Sequence, residues 1–136
     1  MEDYELHPIT VIGVNQQSEQ EAPMLVLEDD LDRQFELSIG LCEALAIQLA
    51  VNGTAVGRPL THDLLLSLAD HLDATVDSMV IDDFSNGIYY ARLILRTPDG
   101  PISLDCRPSD GIAVALRARV PILATDPVIA GEGHEE

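Results

Sequence analysis

The chain has 136 residues, the size of one domain, and 46% of them are hydrophobic, enough for a single core without disulfide or metal staples. Acids outnumber bases 24 to 7, the net charge is −17 and every base is an arginine, a balance that argues against a nucleic-acid surface at ordinary ionic strength. Aromatics make up 4% and tryptophan is absent, so the core must be aliphatic, and the two cysteines, Cys42 and Cys106, offer neither a disulfide framework nor metal-ligand spacing.

In chain order, residues 4–14 read as a strand carried by Leu6, Ile9, Val11, Ile12 and Val14. A polar loop from Gln16 to Glu21 leads to two strands, Met24 to Glu28 and Gln34 to Ile39, around an acidic turn at 29–32. Leucines 41, 45 and 49 recur at helical spacing over 41–51, and Asn52-Gly53 ends that helix. After a linker broken by Gly57 and Pro59, a second helix is expected over 60–74, with Thr61 as N-cap and a core-facing stripe of Leu64, Leu65, Leu68 and Leu72. Strands over 76–82 and 88–96 join across Asn86-Gly87, a strong hairpin signal. A turn at Pro98-Asp99 leads into a strand over 102–106, placing Leu95 against Ile102, Leu93 against Leu104, Ala91 against Cys106 and Arg92 against Asp105. A third helix covers 108–119 and a strand 121–124. The domain is expected over 1–127, with an acidic, mobile tail over 128–136.

Excess acid with no lysine reads as the mark of a high-salt cytoplasm, where a Debye length of about 3 Å at 1 M removes self-repulsion. In that setting the charge argument against nucleic acid weakens without vanishing. No apolar run approaches the roughly 20 residues of a membrane span. The first residues are acidic where a secretory leader carries bases. A cytoplasmic location and no membrane partner are the expectation.

Two stretches concentrate polar chemistry. In Asp105-Cys106-Arg107-Pro108-Ser109-Asp110, proline suits the first helical position, and Asp110 sits where an acid meets the positive end of the helix dipole. Capping therefore competes with catalysis as the reason for Asp110, and a cross-strand pair with Arg92 competes as the reason for Asp105. The same sheet face gathers Arg92, Arg96 and, at its end, Arg107, the best candidate surface for a phosphate. The second stretch, Arg58-Pro59-Leu60-Thr61-His62-Asp63, is again a helix start, and it offers a histidine beside an acid for general-base or metal chemistry. Phosphate-cradling glycine loops, nucleophile elbows and metal-ligand quartets do not occur.

The segment beginning at Phe35, FELSIGLCEALAIQLA, aligns with that beginning at Ile102, ISLDCRPSDGIAVALR, at one constant offset that pairs Leu37 with Leu104, Glu43 with Asp110, Ala46 with Ala113 and Leu49 with Leu116. The alignment, at low identity, suggests an internal duplication, and the expected architecture is two hairpin-plus-helix units around a mostly antiparallel sheet system with about three helices, a single compact α+β domain. Exposed sheet edges lead to the expectation of a homodimer or larger homo-oligomer.

RPLTHDLL at 58–65, RPSDGIAVALR at 107–117 and IGLCEALAI at 39–47 together resemble the bifunctional nuclease (BFN) domain family, over roughly residues 8–124. Gly111 departs from the alanine usual there, at a cost to the helix of up to about 1 kcal/mol, and Ser38 stands where the family tends to have a large aromatic. The resemblance implies a compact α+β domain that hydrolyses phosphodiester bonds of DNA and RNA. For that chemistry the residues on hand suggest metal assistance, with Asp105 and Asp110 holding Mg²⁺ or Mn²⁺. His62 or Asp63 would activate water, Arg107 would take the phosphate, and Arg58, Arg92, Arg96 and Ser109 would bind substrate. The rival is a non-enzymatic regulatory or binding module whose motifs are structural caps.

Overall fold

A computed structural model describes residues 4–131. Residues 4–14 form two strands where one was expected, β1 (Leu6–Pro8) and β2 (Thr10–Asn15), because the chain changes sheets at the buried Ile9, whose N–H bonds the Ile122 carbonyl. They are followed by β3 (Met24–Glu28), β4 (Gln34–Ser38), α1 (Leu41–Val51) and α2 (Thr61–His71). Next come β5 (Thr75–Ser85), β6 (Ile88–Thr97), β7 (Gly100–Cys106), α3 (Pro108–Ala118), β8 (Ile122–Thr125) and α4 (Asp126–Ala130).

The strands make an antiparallel three-stranded sheet, β2-β3-β4, and a five-stranded sheet, β1-β8-β5-β6-β7, whose one parallel pair is β5 with β8. The architecture is the expected α+β, with both hairpin-plus-helix units present: β3-β4-α1 and β6-β7-α3. Each unit keeps its own sheet, and their helices α1 and α3 pack together. Helix α3 lies on β5 and β6, with α1 and α2 against it. One aliphatic core runs through both sheets, from Leu25 and Leu27 through Ile47 to Met79, Ile81 and Ile112.

The β6–β7 register is the expected one, with Ala91, Arg92, Leu93 and Leu95 opposite Cys106, Asp105, Leu104 and Ile102. Asn86 and Gly87 both take positive φ (52° and 79°), as the tight hairpin requires. Strand β5 carries two bulges that the sequence did not announce, between Val76 and Ser78 and between Ile81 and Asp83. Each adds one aspartate, and each aspartate meets an arginine of β6: Asp77 pairs with Arg96, and Asp82 with Arg92.

Three expectations need correction. A fourth helix is present, α4, and it buries Val128 and Ile129, so apolar packing extends past 127 into the expected tail; residues 132–136 lie outside the described residues. Leu60, not Thr61, is the N-cap of α2, and the Asp63 carboxylate accepts its backbone N–H at 2.8 Å. Most consequentially, the α2 leucines do not face the core. Leu64, Leu65, Leu68 and Leu72 are exposed, and His62 is the helix's one buried residue. On α1 the buried side chains are Ala44, Ala46 and Ile47, while Leu41 and Leu45 point outward.

Candidate active site

The two Arg-Pro helix starts converge. His62, on the first turn of α2, places Nε2 3.0 Å from Asp110 Oδ1, on the first turn of α3. Arg107, just before α3, donates from Nε to the other Asp110 oxygen at 2.8 Å and from Nη2 to Glu43 Oε1 at 2.9 Å. The repeated acids of the two units, Glu43 and Asp110, are thus joined by one guanidinium. Neither N-cap residue, Gly40 or Arg107, makes a side-chain cap hydrogen bond, and both acids lie in the first turn of their helices, where the dipole favours them.

Burial and access divide the roles. The His62 side chain is 9% exposed and the Arg107 side chain 65%, so the imidazole is buried while the guanidinium on the other Asp110 oxygen faces solvent. His62 Nδ1 makes no hydrogen bond among the described residues. Burial pushes the Asp110 carboxyl up, but hydrogen bonds from Arg107 and His62 outweigh it and hold the group below the usual range. On Arg107 the Asp110 bond, reinforced by Glu43, raises an already high proton affinity. The neighbouring Cys106 thiol is pushed up to about 11, chiefly by burial, so it is no thiolate nucleophile at neutral pH. Gly111 shapes the same corner: a Cβ there would meet Met79 side-chain atoms at 2.9 Å and Cys106 Sγ at 3.0 Å. Glycine lets α3 lie close on the sheet.

Asp63 joins a second ion pair beside the first. Its Oδ1 receives Arg117 Nε at 3.1 Å, and the same guanidinium bonds the Ala113 and Ala46 carbonyls. Arg117 thereby fastens the start of α2 to α1 and α3. Sequence reasoning missed it, since a last-turn arginine carries no signal of so distant a partner.

The other candidates lie apart. Cys106 packs toward α3, so by strand alternation Asp105 faces the opposite side of the sheet. Asp105 stands opposite Arg92 in register, yet Arg92 bonds Asp82 at 2.8 Å, because β5 flanks β6 on its other side and its bulge brings that acid within reach. Arg92 and Arg96 are both neutralised by β5 aspartates, so the sheet face is not a free cationic surface. Ser109 is buried, and Arg58 is exposed in the loop before α2.

The donor set of Asp105 and Asp110 does not fit a divalent cation: the two lie on opposite sides of β7's end, and both Asp110 oxygens are taken. Among the described residues, the atoms close enough to share a cation belong to His7, Asp29 and Asp30, within 4.8 Å of one another. Arg33 already supplies positive charge there, bonding Asp29 at 2.6 Å and Asp126 at 3.1 Å. The buried His7 ring lies between two acids, Nδ1 3.0 Å from Asp30 and Nε2 3.0 Å from Asp126. The Asp30 hydrogen bond is the main cause that raises its pKa, against the opposing effect of burial. No sequence signal linked these residues, which come from β1, the β3–β4 turn and α4.

The bifunctional nuclease domain family matches this chain over residues 24–136. An uncharacterized protein of Mycobacterium tuberculosis is 39% identical over 126 residues, covering 92% of this chain and 75% of that one. Bifunctional nuclease 1 of Oryza sativa subsp. japonica is 25% identical over 115 residues, 82% of this chain, and that of Arabidopsis thaliana is 24% identical over 123, 88% of this chain. This chain covers only 35% and 34% of the two plant proteins. No helix of the described residues is long and apolar enough to cross a membrane.

Proposed function

Because this chain belongs to the bifunctional nuclease domain family, we propose that it hydrolyses phosphodiester bonds of DNA, RNA or both, at the His62–Asp110–Arg107 cluster. The observation that carries this reading is the 3.0 Å contact between His62 and Asp110, which brings together the two polar stretches that are far apart in sequence. Asp110 holds one imidazole nitrogen and fixes the ring's orientation, leaving Nδ1 to accept a proton. Water loses that proton to His62 as its oxygen bonds to phosphorus, and the bond from phosphorus to the leaving oxygen breaks. The departing oxygen takes its proton from solvent. Arg107, exposed and charged, faces the non-bridging oxygens where negative charge grows.

The expected pair of carboxylates does not form a cage for Mg²⁺ or Mn²⁺, because both Asp110 oxygens are bonded to His62 and Arg107. The wider reading includes a high-salt cytoplasm, suited to the net charge of −17, and a homodimer or larger homo-oligomer.

The runner-up is a non-enzymatic binding or regulatory module. The observation favouring it is that Arg107 is already held by two carboxylates, as a structural clamp would be. Cleavage of labelled single-stranded DNA and RNA in molar KCl, with and without EDTA, decides between them. The nuclease reading expects cleavage that EDTA does not abolish and that His62→Gln removes while leaving the fold intact. Absence of cleavage of either polymer would establish the module.

A further inference from the structure

A cleft of about 240 Å³ opens between the end of α1, the linker that follows it and the start of α2. Leu49 and Ala50 of α1, Val56 of the linker and Leu60 give it apolar walls, and Asp63 and Arg117 supply its polar part. Its volume lies below the roughly 300 Å³ at which pockets for drug-sized ligands begin, so it admits one small ring system.

The polar pair has hydrogen-bonding capacity left over. The Arg117 side chain is only 11% exposed, and among the described residues it donates three of its five N–H groups, to Asp63 and to the Ala113 and Ala46 carbonyls. Asp63 accepts one bond at each oxygen, from the Leu60 N–H and from Arg117, and each carboxylate oxygen can accept two. Acceptor and donor stand side by side, with Asp63 Oδ1 3.1 Å from Arg117 Nε.

Three features select the ligand. The pair is neutral as a whole, so the cleft suits an uncharged heterocycle better than a phosphate. Its lining includes no aromatic side chain, so it cannot hold every base alike by stacking, and hydrogen bonds must choose. Among the common bases, guanine alone presents two neighbouring N–H donors beside a carbonyl oxygen, the complement of a carboxylate beside a guanidinium.

We propose that this cleft binds a guanine base, with Asp63 accepting from its N1–H and N2–H groups and Arg117 donating to its O6. The site deepens the nuclease reading and rests on it for one consequence only. Asp63 follows His62 in the chain, so a guanine seated here brings an adjoining phosphate towards the His62–Asp110–Arg107 cluster and directs cleavage to guanosines.

Titration of the full chain with guanosine in molar KCl, followed by amide NMR, should shift the residues that line the cleft. Inosine, which lacks the 2-amino group, should bind about tenfold more weakly, and adenosine, cytidine and uridine more weakly still. Asp63→Asn should abolish the preference for guanosine over the other nucleosides. Because Asp63 also anchors α2, Ala50→Phe serves as a second variant. It fills the cleft while replacing neither polar group, and it should abolish guanosine binding with an unchanged circular dichroism spectrum. Absence of guanosine shifts at the lining overturns the proposal, as does equal affinity for guanosine and inosine, or unimpaired binding by Ala50→Phe. Guanosine carries no phosphate, so the two readings fail separately. Guanosine binding without cleavage of any polymer strikes only the nuclease, and cleavage without guanosine binding strikes only this site.

Discussion

His62 and Asp110 are 48 residues apart in the chain and 3.0 Å apart in the structure, each on the first turn of its own helix. A contact between two helix starts is a relationship of tertiary packing: α2 crosses α3 near its N-terminus, and the pair forms only when both helices have docked. Asp110→Asn keeps the side-chain shape and removes the charge that orients the imidazole. Cleavage should fall on the order of 10²-fold, while thermal stability drops by about 1 kcal/mol or less. Asp105→Asn, on the far side of the sheet, should leave cleavage unchanged. Equal losses from both substitutions would count against the assignment.

Arg107→Lys tests the bridge between Glu43 and Asp110. A lysine keeps the charge but cannot extend two directed N–H groups to separate carboxylates. Because the side chain is largely exposed, the stability loss should stay within about 1 kcal/mol, whereas cleavage should fall at least tenfold. Melting curves and rates on the same preparations separate the two effects.

Acid should weaken the wild type in part through Asp110, as it does through Asp29, whose native pKa is also lowered. The native pKa of Asp110 is lowered from 3.8, so the contribution to stability is present above that value and is lost as pH falls through the lowered native one. Melting temperatures taken from about pH 5 down to about pH 2 should fall more steeply for wild type than for Asp110→Asn. Parallel curves would show that the carboxylate contributes nothing to this dependence.

His7 works in the opposite direction. Its native pKa is raised above 6.5, so its stabilisation is complete below that value and is lost as pH rises through the raised native one. An NMR titration should place the imidazole midpoint above 6.5, and His7→Gln should flatten the decline in melting temperature on the alkaline side. A midpoint at or below 6.5 would contradict the clamp between Asp30 and Asp126.

Salt should stabilise the protein strongly. With 24 acids against 7 bases, repulsion is unscreened in dilute buffer and screened within about 3 Å at 1 M. The melting temperature should rise markedly from dilute buffer to molar KCl. A flat response would remove the high-salt reading and restore the full charge argument against a nucleic-acid substrate.

Much of the local structure was legible in the chain. Alternating side chains set the β6–β7 register, and Asn86-Gly87 announced its turn, because both are decided within a few residues. The orientation of α2 was not legible. Helical spacing identifies an apolar stripe, but a stripe looks the same whether its own core or a second molecule covers it. Arg92 illustrates the same limit at a single residue. Its register opposite Asp105 followed from the hairpin, but the bulge that brought in Asp82 depends on how β5 is laid beside β6. The residues of the candidate site were present in the two Arg-Pro stretches; that they meet, and that Glu43 belongs with them, depends on how α1, α2 and α3 stack.

Strand β1 adds a consequence of a different kind. Leu6, His7 and Pro8 pair with Thr125, Ala124 and Leu123, so one edge of the five-stranded sheet joins stretches from nearly opposite ends of the described chain. During synthesis β1 leaves the ribosome with its partner strand still to be made, and that edge can close only after residue 125 has emerged. The three-stranded sheet needs only residues 10–38 and is complete far earlier. A nascent chain halted before β8 should therefore protect the β2–β4 amides from exchange and leave those of β1 open.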